Sequence, residues 1–183
     1  MQKTNYFETL EALSIECSRV IFLSLESTRA RLSSALEECE KIQQIAIKKV
    51  CELDLSLFAD FLPPIERNNI SELGHTILVT IEKCIYIMCQ KIQRPQSEKK
   101  QKYVSEIKNL SQIIEESIFM LKKIKKPNQT PKISEFREAE KEIRKVLRPT
   151  HKKQTPLSNL LYELCEQLSY MFDKIIEIML CNI

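Results

Sequence analysis

The sequence contains a single glycine, Gly74, in 183 residues. Glycine normally makes up roughly 7% of a protein, and tight β-hairpin turns rely on it to reach positive φ angles. A chain with one glycine therefore cannot connect many antiparallel strands. It also cannot form the loops that bind nucleotide phosphates, since both the dinucleotide fingerprint and the P-loop need more than one glycine. The sequence predicts an all-helical protein.

The hydropathy pattern contains no run that approaches the roughly 20 consecutive apolar residues of a membrane-spanning helix. The segment Met1–Glu11 is too polar for a signal peptide. We therefore expect a cytoplasmic protein. The seven cysteines are scattered and include no Cys-x-x-Cys pair. We expect them to be free and to behave as small buried apolar residues.

Prolines divide the chain into segments, because proline interrupts helix interiors and disfavours the α conformation in the residue before it. Between the prolines, apolar residues recur every three or four positions, which is typical of helices in a bundle. The clearest stripe runs from Leu157 to Met179. The pattern predicts six helices: Asn5–Leu25, Thr28–Phe61, Asn69–Lys91, Ser97–Lys126, Pro131–Leu147 and Pro156–Cys181.

Similar residues recur in the two halves of the chain at nearly constant offsets. The matches are Tyr6, Leu10 and Ile21 with Tyr103, Ile107 and Ile118 (offset 97), Glu38–Lys41 with Glu138–Lys141 (offset 100), and Glu72 and Lys83 with Glu163 and Lys174 (offset 91). The order predicts tandem duplication of a three-helix unit. We expect a single domain over 1–183, with internal repeats at about 1–93 and 97–183. Two such units can pack side by side as two three-helix bundles.

The run Phe61–Ile70 reads Phe-Leu-Pro-Pro-Ile-Glu-Arg-Asn-Asn-Ile and precedes the third predicted helix. It resembles the Pro-Ile-Asp-Arg-Glu-Asp-Ile signature at that place in PhoU-like proteins of the Pit-accessory branch. Tyr6–Glu11, Glu38–Ile42, Glu138–Glu140 and Leu161–Glu166 also resemble motifs of that family. The resemblance implies two three-helix bundles. It also implies a non-enzymatic role in inorganic phosphate uptake and its regulation, through binding to a phosphate transporter or a sensor kinase.

Members of that family carry carboxylate pairs four residues apart, which place two oxygen ligands on one helix face for iron, zinc or similar cations. The resemblance maps one remaining carboxylate of each pair to Glu40, Glu82, Glu140 and Glu166. The lost partners are at Leu36, Leu78, Phe136 and Tyr170. We therefore expect no resident cofactor and at most weak binding of divalent, iron or zinc cations, helped by Glu37 or Asp173. Alternatively, these glutamates are solvated residues on exposed faces.

Charge is distributed unevenly along the chain. Residues 1–91 contain 10 basic and 13 acidic side chains, whereas residues 92–183 contain 18 and 12. Nine of the basic residues gather near two prolines: Lys122, Lys123, Lys125, Lys126, Arg144, Lys145, Arg148, Lys152 and Lys153. They are either solvated helix ends or a docking patch for an acidic partner or an anionic membrane surface. The small net charge and the lack of interleaved aromatic residues argue against nucleic acid binding.

The sequence contains little that indicates catalysis. Glu72 and His75 fit the Glu-x-x-His motif of di-iron proteins, which need a second such motif, but His151 has no glutamate three residues before it. We predict a non-enzymatic regulator or accessory protein of phosphate transport, at the inner face of the cell membrane. Two alternatives stay open: a metal-binding carboxylate bundle, and a helical adaptor that has lost the phosphate role. The long amphipathic helices also suit a homodimer.

Overall fold

The computed structural model describes residues 6–59, 67–93, 101–121, 132–147 and 156–181. Within these ranges the chain forms six α-helices and no strand. The helices are α1 (Tyr6–Glu26), α2 (Leu32–Ala59), α3 (Arg67–Gln93), α4 (Gln101–Leu121), α5 (Ile133–Leu147) and α6 (Pro156–Leu180). Among the described residues, no helix combines the length and the apolar character that crossing a bilayer requires.

The helices pack as two bundles that lie side by side. α1, α2 and α3 contact one another in the first bundle, and α4, α5 and α6 do so in the second. α1 packs against α4 and α3 packs against α6, so the buried side chains of both bundles form one continuous core. The predicted apolar stripe from Leu157 to Met179 is buried as expected. The structure thus confirms the predicted fold class, an all-helical pair of three-helix bundles.

Most helix boundaries lie within a few residues of the predicted ones, but the start of α2 differs. The prediction places it at Thr28, whereas a 3₁₀ turn at Arg29–Arg31 comes first and α2 begins at Leu32. The Arg31 N–H donates to the Thr28 carbonyl at 2.9 Å and closes this turn. The Thr28 side chain makes no capping hydrogen bond, so the first turn lacks the side-chain acceptor that commonly starts an α-helix. The predicted ends of α4 lie outside the described residues.

Two ion pairs between α3 and α6 are related by the 91-residue offset. Lys83 Nζ lies 3.1 Å from Glu163 Oε2, and Lys174 Nζ lies 3.0 Å from Glu72 Oε2. The offset relates Lys83 to Lys174 and Glu72 to Glu163, so each ion pair is the counterpart of the other. Two-fold axes produce such reciprocal contacts between identical subunits. The two bundles are therefore arranged with pseudo-two-fold symmetry. The repeat boundaries at about 1–93 and 97–183 stay a prediction, because the junction between them lies outside the described residues.

Gly74 lies within α3 where the three helices of the first bundle meet. A Cβ atom at this position would lie 2.9 Å from Leu53 Cδ2 on α2 and 4.0 Å from Leu10 Cδ2 on α1. Both leucines are buried, and Gly74 does not adopt a positive φ. Close helix approach, and not a turn, is therefore the reason for the glycine.

Replacing Gly74 with valine is expected to lower the free energy of unfolding by about 1–3 kcal/mol, because the added methyl groups overpack the core against Leu53. Gly74→Ala has a smaller effect, since the gain in helix propensity, about 1 kcal/mol, offsets part of the contact cost. Urea denaturation measures both. Glu82→Val, at an exposed position of the same helix, is the control and should change stability by less than about 0.5 kcal/mol. A Gly74→Val protein as stable as the wild type would contradict this explanation.

All seven cysteines are free, and four of them are buried: Cys17, Cys39, Cys84 and Cys165. Burial raises the pKa of the Cys84 thiol and that of Cys165 to about 12. The expectation of small buried apolar residues therefore holds for these four. Cys89 is half-buried, and Cys51 and Cys181 are exposed, so the expectation fails for these last two.

A chromogenic disulfide reagent at mildly alkaline pH should label Cys51 and Cys181 quickly in the native protein. The four buried thiols should react only as fast as the structure opens, because a buried thiol with a raised pKa forms little thiolate. Labelling in guanidinium chloride, where all thiols react, is the control. Fast labelling of Cys84 in the native protein would contradict the burial of its thiol.

Candidate functional site

A group of charged and polar side chains lies between α5 and α6 and is centred on Glu140. We call it the α5–α6 charge cluster; its members are Arg137, Glu140, Arg144, Tyr162, Glu166, Ser169 and Asp173. Glu140 is only 8% exposed, which is unusual for a glutamate and requires partners for its charge. Among the described residues, Glu140 is the one charged residue that is buried.

Both carboxylate oxygens of Glu140 accept hydrogen bonds. Oε1 accepts from Arg144 Nη2 at 2.6 Å, from Arg144 Nε at 3.0 Å and from Ser169 Oγ at 2.7 Å. Oε2 accepts from Arg137 Nη1 at 2.9 Å. Both oxygens of the carboxylate are therefore engaged by donors, from its own helix and from α6.

Helical geometry explains how these groups meet. Arg137, Glu140 and Arg144 follow one another at spacings of three and four residues, so their side chains lie along one face of α5. Glu166, Ser169 and Asp173 have the same spacing on α6. Because α5 and α6 are packed together, the two rows face each other across the helix contact.

The two arginines join the helices through further carboxylates. Arg137 Nη2 pairs with Asp173, and Arg144 Nη1 pairs with Glu166. Arg144 Nη1 also donates to the Tyr162 hydroxyl at 3.3 Å. Each guanidinium thus connects Glu140 on α5 with an acidic residue on α6, and two cations face three anions.

This environment controls the protonation of Glu140. Burial raises the pKa of its carboxyl group, but the hydrogen bonds from Ser169, Arg144 and Arg137 outweigh burial and hold the pKa below its usual value. The hydrogen bond with Glu140 in turn raises the pKa of Arg144. Glu140 and Arg144 therefore both keep their charge at neutral pH.

Aromatic rings form the inner wall of the cluster. Phe136 and Phe172 are fully buried and stack with ring centroids 3.9 Å apart and an interplanar angle of 8°. The Arg137 guanidinium packs against the side of the stacked pair, with its carbon 5.7 Å and 5.9 Å from the two centroids. Arg144 lies 6.0 Å from the centroid of the Tyr162 ring. Each arginine thus packs against aromatic rings in addition to its ion pairs, and Arg144 makes a cation–π contact with Tyr162.

The structure brings two of the four predicted metal-ligand candidates together. Glu140 and Glu166 both contact Arg144. Glu40 is exposed on α2, where it lines a shallow depression with Glu37, and Glu82 is exposed on α3. Within the described ranges, no group of three or more histidine, cysteine, aspartate or glutamate residues is arranged to hold a metal ion.

The α5–α6 residues do not fit a divalent cation as they stand. Both oxygens of Glu140 already accept hydrogen bonds from guanidinium or hydroxyl groups. Phe136, four residues before Glu140, is fully buried and provides no ligand. Tyr170, four residues after Glu166, donates its hydroxyl hydrogen to Glu72 on α3. A metal at Glu140 would therefore have to compete with both arginines for the carboxylate oxygens.

Three members of the cluster were not predicted from the sequence: Arg137, Tyr162 and Ser169. The signal for Arg137 was present, since the spacing Arg137-x-x-Glu140-x-x-x-Arg144 places two cations on the same face as one carboxylate. Ser169 gave no local signal, because it approaches Glu140 from another helix.

Two residues of the predicted basic patch lie in the described part of the chain. Arg144 turns inward to Glu140 and Glu166, and the Lys145 ammonium lies 2.5 Å from Glu142. The other seven lie outside the described residues: Lys122, Lys123, Lys125, Lys126, Arg148, Lys152 and Lys153. Their role as a docking patch stays a prediction.

Two three-helix bundles joined through α1 with α4 and α3 with α6 place this protein in the PhoU-like fold class. The chain is similar in structure to a PhoU-like protein from Shewanella oneidensis MR-1, whose crystal structure aligns with a TM-score of 0.71 at 12% sequence identity. The alignment covers 96% of this chain and 99% of that chain. No protein-family model and no curated protein sequence matches the chain. At this identity the likeness confirms the fold and assigns no branch of the family.

Proposed function

We propose that this protein is a non-enzymatic regulator or accessory protein of inorganic phosphate transport, which acts by binding a phosphate transporter or its sensor kinase. The observation that carries the proposal is the likeness to the PhoU-like protein over 96% of this chain and 99% of that chain. The resemblance of Phe61–Ile70 to the Pit-accessory signature supports it separately and favours that branch.

The proposed mechanism is docking of a rigid double bundle on the inner face of the membrane. Continuous packing across α1 with α4 and α3 with α6 makes the two bundles one body. Docking would therefore shift the working state of the partner, while the bundle itself keeps its shape. The proposed contact comprises Lys145 and the basic residues near it in sequence, with anionic lipid contributing to peripheral membrane association.

A second candidate is a helical adaptor that has kept the fold and lost the phosphate role. The hydrogen bonds that Glu140 accepts from Arg137, Arg144 and Ser169 favour this adaptor over a metal-binding carboxylate bundle. The regulator and the adaptor differ in the partner that each would retain.

Affinity capture of the tagged protein from membranes of its native host, grown with and without phosphate, tests the proposal. Mass spectrometry should show enrichment of a phosphate permease or its sensor kinase, and the enrichment should change with phosphate supply. The variant Lys145→Glu with Lys152→Glu should lose this partner. The matched control reverses Lys41 and Lys48, which are exposed on α2, and should retain it.

Capture of a soluble protein with no transport component under either condition would favour the adaptor and contradict the regulator. Equal loss of the partner in both charge-reversal variants would contradict the proposed contact, since it would show a general effect of charge. A wild-type protein purified with bound iron or zinc in stoichiometric amount would favour the carboxylate bundle.

A further inference from the structure

We infer that Arg137 and Arg144 are the resident cations of the α5–α6 charge cluster and close it to divalent metal ions. Which cations bind the carboxylates of this cluster does not depend on the proposed role in phosphate transport. Three features of the described residues carry it: the occupancy of the carboxylate oxygens, the way the arginines are held, and the residues beside the carboxylates.

The first feature is that both carboxylate oxygens of Glu140 already accept hydrogen bonds. Oε1 of Glu140 accepts three hydrogen bonds from Arg144 and Ser169, and Oε2 accepts one from Arg137. A divalent cation prefers several carboxylate, carbonyl or water oxygens in direct contact. At Glu140 it would have to compete with two guanidinium groups that already hold both carboxylate oxygens.

The second feature is that neither arginine can leave at little cost. Arg137 pairs with both Glu140 and Asp173 and packs against the side of the two stacked phenylalanine rings. Arg144 pairs with Glu140 and Glu166 and lies over the Tyr162 ring. An incoming metal would therefore break charge-assisted hydrogen bonds and cation–π contacts together.

The third feature is the absence of further oxygen ligands at the neighbouring helix positions. Phe136 precedes Glu140 by one helical turn, and its ring stacks on Phe172 at 3.9 Å. Tyr170 follows Glu166 by one turn, and its hydroxyl group is bonded to Glu72 across the bundle contact. Neither side chain is placed to complete a coordination sphere with Glu140 and Glu166.

The first bundle lacks the two cations at the equivalent positions. At the 100-residue offset, the residue equivalent to Arg137 is Glu37 and the residue equivalent to Arg144 is Gln44. Glu40, the equivalent of Glu140, is exposed in the shallow depression that Glu37 and Gln44 also line. The arginine cluster is therefore a property of the second bundle alone, and Glu40→Gln serves as a control for Glu140→Gln.

The test combines thermal unfolding and calorimetric titration of the full chain with Mn²⁺ and with Zn²⁺. The wild type should melt at the same temperature with millimolar Mn²⁺, with Zn²⁺ or with EDTA, and should show no saturable heat that depends on Glu140. Arg137→Gln with Arg144→Gln should melt several degrees lower than the wild type. The matched control, Lys141→Gln with Lys145→Gln, removes the same charge from the exposed side of α5 and should melt close to the wild type.

Arg144→Lys keeps the charge but loses the planar fork, so its melting temperature should lie between those of the wild type and the double arginine variant. This single change also keeps the test informative if the double variant fails to fold. Two results would overturn the inference. The first is stoichiometric binding of Mn²⁺ or Zn²⁺ by the wild type that Glu140→Gln abolishes and Glu40→Gln does not. The second is that Arg144→Lys and the double arginine variant both melt at the same temperature as the wild type.

Discussion

Replacing Phe172 with alanine should lower the free energy of unfolding by about 3–5 kcal/mol, the range for truncating a fully buried phenylalanine. The Phe172 ring is fully buried and stacks on Phe136 with centroids 3.9 Å apart. Truncation leaves a cavity and also removes one of the two rings that Arg137 packs against. Since a typical domain has only about 5–15 kcal/mol of total stability, the loss should be large in urea or thermal denaturation.

The matched control is Phe58→Ala on α2. Phe58 is 85% exposed, so its truncation should change stability by less than about 0.5 kcal/mol. The denaturant dependence of the unfolding free energy should be similar in both variants, because the surface exposed on unfolding hardly changes. A similar loss at Phe58 and at Phe172 would contradict the assignment of the stacked pair to the core.

Glu140→Gln should lower the free energy of unfolding by about 2–3 kcal/mol at neutral pH. The amide removes the negative charge and leaves Arg137 and Arg144 without their shared partner. Breaking a fully buried ion pair costs about 3–5 kcal/mol, and exposed pairs contribute about 0–1 kcal/mol. The arginines are partly exposed, which places the expected value between these limits. Chemical denaturation measures it.

The effect of Glu140→Gln should also depend on pH. The pKa of Glu140 is lower in the folded protein than in the unfolded chain, where it is about 4.3. The charged carboxylate therefore stabilises the fold fully above about pH 4.3, and this contribution is lost as the pH falls through the lowered folded pKa. The difference between the wild type and Glu140→Gln should accordingly shrink below about pH 4.

Glu138→Gln is the control for this experiment. Glu138 is an exposed residue of the same helix, so its amide variant should be within about 0.5 kcal/mol of the wild type. If Glu138→Gln and Glu140→Gln lose equal stability, or if the loss at Glu140 is the same in acid and at neutral pH, the charge cluster is not what stabilises the contact between α5 and α6.

The fold could be predicted from the sequence because helix packing leaves a regular pattern. The stripe from Leu157 to Met179 is buried in the structure, as a spacing of three and four residues requires. The sequence also shows the correspondence of Glu72 and Lys83 with Glu163 and Lys174. In the structure these four residues form the reciprocal ion pairs. Such features depend on the local period and order of the chain, which a single sequence contains.

The start of α2 and the cluster were harder to predict. Thr28 looked like a helix start, but its side chain makes no cap and a 3₁₀ turn intervenes. Glu40 and Glu140 occupy equivalent positions at the 100-residue offset, yet only Glu140 is buried. The difference comes from Arg137, Arg144 and, on another helix, Ser169. The spacing along one helix shows which residues share a face, but it does not show which residues of the neighbouring helix lie opposite that face.

The proposed role in phosphate transport is tested most directly by phosphate uptake in the native host. Uptake of radiolabelled phosphate would be measured in the wild type, in a strain without this protein, and in that strain after complementation. We expect loss of the protein to change the uptake rate or its response to phosphate supply, and complementation to restore it. Identical uptake in all three strains, in phosphate-rich and in phosphate-poor medium, would contradict the proposed function and leave the adaptor as the better interpretation.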